Sequence, residues 1–134
     1  MIDIFMNLEF PPTVNSYYVK TKRGVFISKK GRQFRDAVIA SALEQNAYKL
    51  MIDNKLTVDV ILYPPDRRTR DLDNYMKALL DALTHAKVWG DDSQIDNLNI
   101  HRGIVVKHGM ARLRIAEHHG MLMPDSDEIW DSIE

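Results

Sequence analysis

The chain has 134 residues, with eighteen Lys or Arg against nineteen Asp or Glu and no cysteine. This length suits one domain with a modest core, and oligomerisation would help so short a chain grip a large substrate. The lack of cysteine excludes disulfides and thiolate zinc sites, and it fits a reducing cytosol. The N-terminal segment lacks the basic region of a signal peptide and no stretch is long enough to span a membrane, so we expect a soluble, intracellular protein without a membrane partner.

The near-neutral net charge hides a segregation of charge along the chain. Residues 125–134 hold five of the nineteen acidic residues and none of the eighteen basic ones, so the rest of the chain carries eighteen bases against fourteen acids. A basic body with an acidic end is typical of nucleic-acid binders, although a solvated surface alone also gives this pattern. We predict one domain over residues 1–120 and an acidic, flexible tail over residues 121–134.

Three interpretations of the acidic tail stay open. It is a solvated, disordered segment, or it occupies a basic groove as a mimic of DNA, or it docks Ile129 and Trp130 into a protein partner.

The hydrophobic pattern predicts strands first. Apolar residues alternate with polar ones in four segments, and a short hairpin with a basic tip is expected between the first of them and the first helix. The four strands cover residues 2–10, 56–62, 98–106 and 111–115, and the hairpin joins 17–20 to 25–28.

Two main helices complete the prediction. The first begins after Ser28 as its N-cap and runs to about Met51, and the second runs from about Asp73 to before Gly90. The order β-(ββ)-α-β-α-β-β indicates an α+β domain with both helices packed on a mixed or antiparallel sheet. The expected inward residues are Phe34, Val38, Ala42 and Leu50 on the first helix, and Leu72, Met76, Leu79, Leu80 and Leu83 on the second.

Charged residues are concentrated after the second long strand. Three arginines lead directly into Asp71 and Asp73, Lys77 follows one helical turn later, and Asp91 and Asp92 close the segment. Carboxylates suit Mg²⁺, which takes oxygen ligands, and nearby cations suit a phosphate. The segment therefore predicts phosphodiester chemistry.

A simpler interpretation is an N-capping aspartate with a surface ion pair between Asp73 and Lys77. Other carboxylate motifs can be excluded. An EF-hand loop beginning at Asp71 needs glycine where Met76 stands and glutamate where Ala82 stands. The five histidines show no metal-ligand spacing.

Two segments resemble the RusA family of Holliday-junction resolvases. The segment PPDRRTRDLDNYMKALLDAL, followed by VWGDD, is similar to the family signature, and FPPTVNSYY resembles its N-terminal motif. The similarity covers roughly residues 5–117, in register from Pro11 to Asp92. The chain departs from the family pattern at Val14, at Ser16 and in the acidic tail.

The resemblance implies a small, homodimeric, magnesium-dependent endonuclease of bacteria, prophages and phages that acts in the cytoplasm. Such enzymes nick two opposed strands of a four-way DNA junction symmetrically. By motif position, Asp71, Asp73 and Asp92 are the expected catalytic carboxylates and Mg²⁺ ligands, with Mn²⁺ as a substitute for Mg²⁺. Lys77 is the expected essential lysine, and Asp91 is expected near the site but ranks behind Asp92.

The predicted length of the second helix raises a geometric question. A helix from Asp73 to about Ala86 is roughly 20 Å long, so Asp92 must return along it, or complete a site across the dimer, or follow a shorter helix. The sequence leaves these alternatives open, along with the choice between one and two metal ions.

DNA binding is assigned to the basic elements and to two residues of the N-terminal motif, Asn15 and Tyr17. Tyr17 or Tyr18 is expected to stack on a base unless it is part of the core. The candidate phosphate contacts are Lys20, Lys22, Arg23, Lys29, Arg32, Arg35, Arg67, Arg68 and Arg70. Two other functions remain open, a branched-DNA or flap nuclease of broader specificity and a non-catalytic DNA-binding module.

Overall fold

The computed structural model describes residues 1–120 and has an α+β architecture, which confirms the predicted class. The acidic tail lies outside the described residues, so the predicted domain boundary stays a prediction. The six strands are β1 (Asp3–Leu8), β2 (Tyr18–Thr21), β3 (Gly24–Ile27), β4 (Leu56–Tyr63), β5 (Ile95–Arg102) and β6 (Met110–Glu117). The three α-helices are α1 (Val14–Tyr17), α2 (Lys29–Glu44) and α3 (Met76–His85).

Four strands form one mixed sheet in the order β1-β6-β4-β5, and β2 and β3 form a separate hairpin. Strand β6 is antiparallel to both of its neighbours, whereas β5 is parallel to β4. The parallel pair requires a crossover, and α3 provides it. None of the helices in the described part of the chain has the length and apolarity that crossing a membrane would need.

The core follows the period-two pattern of the central strands. Every second residue of β4 is buried, and these side chains face buried partners on β6, where Val58 is paired with Ile115 and Val60 with Leu113. Helices α2 and α3 pack against this layer through residues that include Phe34, Val38 and Leu79, as their helical spacing predicts.

Helix α2 begins where predicted but ends earlier. The Ser28 hydroxyl accepts a hydrogen bond from the Gly31 amide at 3.0 Å, which is the predicted N-cap. The helix ends at Glu44 rather than near Met51, because the chain turns through a left-handed conformation at Asn46, with φ of 61°. Leu50 consequently lies outside the helix and is exposed, which corrects its predicted inward position.

The second predicted helix is shorter than expected at both ends. A 3-10 helix (Leu72–Tyr75) precedes α3, which ends at His85 because Lys87 adopts a φ of 59°. Val88 and Trp89 then run as a buried extended segment, and Trp89 Nε1 donates a hydrogen bond to Thr84 Oγ1 at 2.7 Å. The prediction had included these residues in the helix because their apolar side chains continue its pattern.

Strand β5 is displaced from the predicted range of 98–106 and covers Ile95–Arg102. The chain leaves the sheet at Gly103, where a Cβ atom would lie 2.4 Å from the Tyr63 ring. Ile104 is therefore in the following loop and is 77% exposed. The predicted strand extended too far because Ile104, an apolar residue of the loop, continues the alternation of the strand.

Gly31 tests how closely α1 and α2 approach. A Cβ atom at this position would lie 2.4 Å from the Tyr17 carbonyl oxygen and 2.7 Å from Ile27 Cγ2. Helix propensity alone predicts that Gly31→Ala stabilises the protein by about 1 kcal/mol. We expect destabilisation by about 1–3 kcal/mol instead, because the backbone of Tyr17 must move. Urea unfolding followed by tryptophan fluorescence measures the difference.

Ala40→Gly is the matched control, because Ala40 is exposed on the same helix. This change should lower stability by about 1 kcal/mol through helix propensity alone. An increase in stability for Gly31→Ala would contradict the close approach.

Candidate active site

The two segments that carry the family resemblance pack against each other around Phe10. The Phe10 and Tyr75 rings meet edge to face with centroids 5.0 Å apart, and the Arg70 guanidinium lies 5.8 Å from the Phe10 centroid. An open groove of about 360 Å³ separates the N-terminal motif from the arginine loop, residues 66–70. Its lining includes Pro12, Thr13, Ser16, Lys30, Arg68 and Thr69.

Arg70 is held by the protein, whereas the other two arginines of the loop are exposed. Arg70 Nη1 lies 2.7 Å from Asp66 Oδ1 and also donates to the Asp66 carbonyl at 3.2 Å. Arg102 fixes this loop from β5, since its Nη2 donates to the Arg70 carbonyl at 2.8 Å. Arg67 and Arg68 therefore remain the better candidates for phosphate contact, while Arg70 shapes the loop.

Asp71 and Asp73 have no structural task within residues 1–120. Asp71 precedes the 3-10 helix, but its side chain makes no capping hydrogen bond. Among the described residues, neither carboxylate forms an ion pair, and Lys77 forms none either. The capping and ion-pair interpretation therefore does not hold. All three side chains are exposed, so they are available to a ligand.

Asp91 and Asp92 lie at the opposite end of the parallel strands β4 and β5 from Asp71 and Asp73. Asp71 and Asp73 follow β4, whereas Asp91 and Asp92 precede β5. Lys77 lies near enough to Asp91 to contribute to the lowered pKa of its carboxyl, although the hydrogen bond from Ser93 is the main cause. Because α3 ends at His85, the loop that holds Asp91 lies within range of the Lys77 charge in the same chain.

Asp91 and Asp92 differ in what they do for the fold. The Asp91 carboxylate accepts the Gln94 amide in a capping box, and the Gln94 side chain accepts the Asp91 amide at 2.8 Å. Gln94 also donates to the carbonyls of Ile52 and Asn54, at 2.8 and 3.0 Å. Asp92 has no such role among the described residues, which supports its ranking ahead of Asp91.

The donor types suit a hard cation, but the described chain does not gather them into one ligand group. Asp71, Asp73 and Asp92 offer only carboxylate oxygens, which Mg²⁺ prefers. Within residues 1–120, no cluster of three or more carboxylate, imidazole or thiolate groups is arranged to hold a metal ion. Asp71 and Asp73 precede Lys77 closely in the chain and the charge of Lys77 acts on Asp91, and the assignment of Asp71, Asp73 and Asp92 as metal ligands stays a prediction.

Tyr17 is part of the core, which corrects its predicted contact with DNA. The residue is fully buried, so its ring cannot stack on a base. Tyr18 is half-buried, and its ring meets that of Tyr17 edge to face at 4.9 Å. Burial raises the pKa of Tyr18, and the charges of Asp81, Lys77 and Asp92 also act on it, so its hydroxyl lies close to the site.

The other predicted DNA contacts differ in their exposure. Arg35 is half-buried and bonds to Tyr17 and Asp81, so its guanidinium already has protein partners. Arg32 is exposed, and its Nη1 donates to the Ile27 carbonyl at 2.8 Å. The remaining candidates are all exposed, and their DNA contacts stay predictions; they are Asn15, Lys20, Lys22, Arg23 and Lys29.

Asp81 and Gln94 contribute to the region of the site but were not predicted from the sequence, which had indicated Tyr18 only as a residue that stacks on a base. Asp81 lies among the apolar residues of α3, where a single aspartate on the polar side of a helix is no signal for a functional residue. Gln94 has a local partner, since Asp91 and Gln94 have the spacing of a capping box, but its hydrogen bonds to Ile52 and Asn54 cross 42 and 40 residues and have no local signal.

The chain is similar to a known family over most of its length. The family model of Endodeoxyribonuclease RusA matches residues 9–116. The chain is 36% identical over 110 residues to the crossover junction endodeoxyribonuclease rusA of Enterobacteria phage HK97. The aligned region covers 82% of this chain and 91% of the relative. It is 35% identical over 112 residues to the protein of the same name from Enterobacteria phage 82, covering 84% and 92%. For the Escherichia coli relative, the identity is 34% with the same coverage.

The ion pair of the arginine loop can be tested by titration. The hydrogen bond from Arg70 is the main cause that lowers the pKa of Asp66 to about 2 from an ordinary 3.8. The sign follows: the contribution of this pair to stability is present above pH 3.8 and is lost as the pH falls toward about 2. We expect Arg70→Gln to return the Asp66 pKa toward its ordinary value, as measured by carboxyl ¹³C NMR.

Arg68→Gln is the control, because Arg68 Nε lies farther from Asp66, at 3.6 Å. It should raise the pKa less than Arg70→Gln does, and the opposite order would disprove the assignment.

Proposed function

Because the chain belongs to the RusA family of endodeoxyribonucleases, we propose that it is a magnesium-dependent enzyme that resolves four-way DNA junctions by paired symmetric nicks. The supporting observation is that Asp71 and Asp73, six and four residues before Lys77, and Asp92 neither cap a helix with their side chains nor form an ion pair among the described residues. Asp71 and Asp73 are exposed and Asp92 is half-buried. Carboxylates without protein partners contribute little to folding, so a ligand explains them better than stability does.

The proposed metal would be held by Asp71, Asp73 and Asp92. When bound, Mg²⁺ would polarise the scissile phosphate and lower the pKa of a bound water. The residues of the chain supply the rest. Lys77, on the first turn of α3, would neutralise the negative charge that develops on the phosphoryl oxygens. Arg67 and Arg68 would hold a neighbouring phosphate and fix the orientation of the strand.

A two-fold symmetric junction needs two equivalent active sites. We propose that a homodimer provides them, since a C2 pair relates the two sites by the same symmetry as the opposed strands. Because relatives occur in phages and in Escherichia coli, we expect the enzyme to act in a bacterial or phage-infected cell. Recombination, repair and phage DNA processing are the processes that require such cleavage.

The first test is cleavage of a synthetic mobile four-way junction with Mg²⁺, beside duplex and flap substrates. Asp73→Asn is expected to slow cleavage at least about 100-fold, the scale of losing a group that stabilises transition-state charge. Junction affinity in EDTA should be kept, because the basic surface is unchanged. Asp53→Asn is the matched control, since Asp53 is an exposed aspartate in the loop before β4.

The outcomes separate the alternatives. Paired nicks confined to the junction support the proposal. Binding without cleavage would identify a non-catalytic DNA-binding module, and equal cleavage of flaps would identify a nuclease of broader specificity. Asp73→Asn protein that cleaves at the normal rate would refute the assignment of the carboxylates.

The hairpin tip tests the electrostatic part of binding. Lys22 and Arg23 are exposed between β2 and β3. If both contact phosphates, Lys22→Gln with Arg23→Gln should reduce the slope of log affinity against log salt by about 2, because each contact contributes about 0.9. Fluorescence anisotropy with labelled junction at several salt concentrations measures this slope.

Lys55→Gln provides the control, as Lys55 is an exposed lysine just before β4. An unchanged slope in the double variant would show that the hairpin does not contact phosphates.

A further inference from the structure

A partly buried polar network joins the three helices, and its carboxylate belongs to Asp81, one helical turn after Lys77. Tyr17 on α1 donates its hydroxyl hydrogen to the Asp81 carboxylate on α3. Arg35 on α2 donates from Nε to the Tyr17 hydroxyl oxygen and from Nη2 to Asp81 Oδ2, both at 2.7 Å. Three side chains from three helices therefore share one closed set of hydrogen bonds.

The network holds Asp81 in its charged form despite partial burial. Burial pushes the pKa of the Asp81 carboxyl upward, but the hydrogen bonds from Tyr17 and Arg35 and the charges of Arg35 and Lys77 outweigh it, so this pKa lies below its ordinary value. The Asp81 side chain is only 26% exposed. A carboxylate with this little water depends on cationic partners.

Lys77 is the other cation within reach of Asp81. The two residues are four apart on α3, the spacing at which a lysine and an aspartate on a helix normally pair. Among residues 1–120 they do not form an ion pair; Asp81 Oδ2 is instead bonded to both Arg35 and Tyr17, which hold the carboxylate on the side of α2 and α1. Within residues 1–120, no carboxylate therefore lies within ion-pair distance of the Lys77 ammonium.

We propose that Arg35 is a positioning residue that keeps Asp81 away from Lys77 and so leaves the Lys77 ammonium for the substrate phosphate. This inference rests on the proposed function, since it assigns a task to Arg35 in the same reaction. Arg35 and Lys77 compete for the Asp81 carboxylate. The Arg35 guanidinium is planar and is held in place by Tyr17, whereas the Lys77 ammonium is a single charge on a flexible side chain. Among residues 1–120, Lys77 is the other cation whose charge acts on this half-buried carboxylate when Arg35 is removed.

A purely structural role for Arg35 makes a different prediction. If the network only clamps α2 to α3, removal of either charged partner disrupts the clamp, and removal of both is no better than removal of one. If Arg35 restrains Asp81, the harmful group in its absence is the released carboxylate, and neutralising that carboxylate restores the lysine.

The test compares Arg35→Met with the double variant Arg35→Met, Asp81→Asn. Single-turnover cleavage of the four-way junction at saturating protein is expected to fall at least about tenfold in Arg35→Met, the equivalent of one hydrogen bond to a charged group. Junction affinity in EDTA should stay within about twofold, since phosphate contacts elsewhere dominate binding. The double variant should regain most of the lost rate.

Arg114→Met is the matched control. Arg114 forms a similar pair with Asp3, with Nε to Oδ1 at 2.9 Å and Nη2 to Oδ2 at 3.2 Å, but on β6 rather than beside α3. Its loss should leave the cleavage rate unchanged. Should Arg35→Met not fold, Arg35→Lys keeps a cation near Asp81 and should cleave faster than Arg35→Gln.

Each outcome decides. A slow single variant restored by Asp81→Asn supports the positioning role. An undiminished rate in Arg35→Met, or a double variant no faster than the single one, overturns it. Failure of the unchanged protein to cleave any junction would instead refute the proposed function, so the two failures are distinguishable.

Discussion

The buried hydroxyl of Tyr17 is the constraint on which the arrangement of the helices depends. A phenol group that is removed from water must find hydrogen-bond partners, and here the partners are a guanidinium from α2 and a carboxylate from α3. The same residue gives its backbone carbonyl to Ser28 at the start of α2, and Gly31 allows α2 to approach that carbonyl closely. One tyrosine therefore fixes how two helices meet, and the acidic residues of the site lie at the ends of the third.

The site separates residues that serve the fold from residues that do not. Asp66, Asp81 and Asp91 are carboxylates with bonded partners, and their pKa values are lowered by those partners. Asp71, Asp73 and Asp92 have none among the described residues, although they lie within a few positions of the first group. This division is what a binding site requires, because ligands must meet groups that folding has not already satisfied.

Most of the fold was predictable from the sequence, because it depends on local periodicity. The alternation in β4 and the spacing of Phe34, Val38 and Ala42 on α2 each specify a buried face. The helix ends were not predictable, since the residues with positive φ that follow the helices are Asn46 and Lys87 rather than glycine, the usual sequence signal for a helix end. For the site, the motif identified the acidic residues and Lys77. It could not reveal that the Tyr17 hydroxyl and the Arg35 guanidinium are bonded internally, because their shared partner Asp81 lies 64 and 46 residues away along the chain.

The sheet order has a consequence for how the protein is made. Strand β6 is the last strand of the described chain, yet it lies between β1 and β4 and pairs with both. A nascent chain that has not yet reached Met110 lacks the strand that joins its first strand to the rest. Such a chain leaves two sheet edges open, and these attract other unpaired strands. The four-stranded sheet can therefore form only after β6 has been synthesised, and with contacts this distant along the chain its folding is expected to be slow. Without β6, only the parallel pair of β4 and β5 remains of the four-stranded sheet, and β1 has no partner strand.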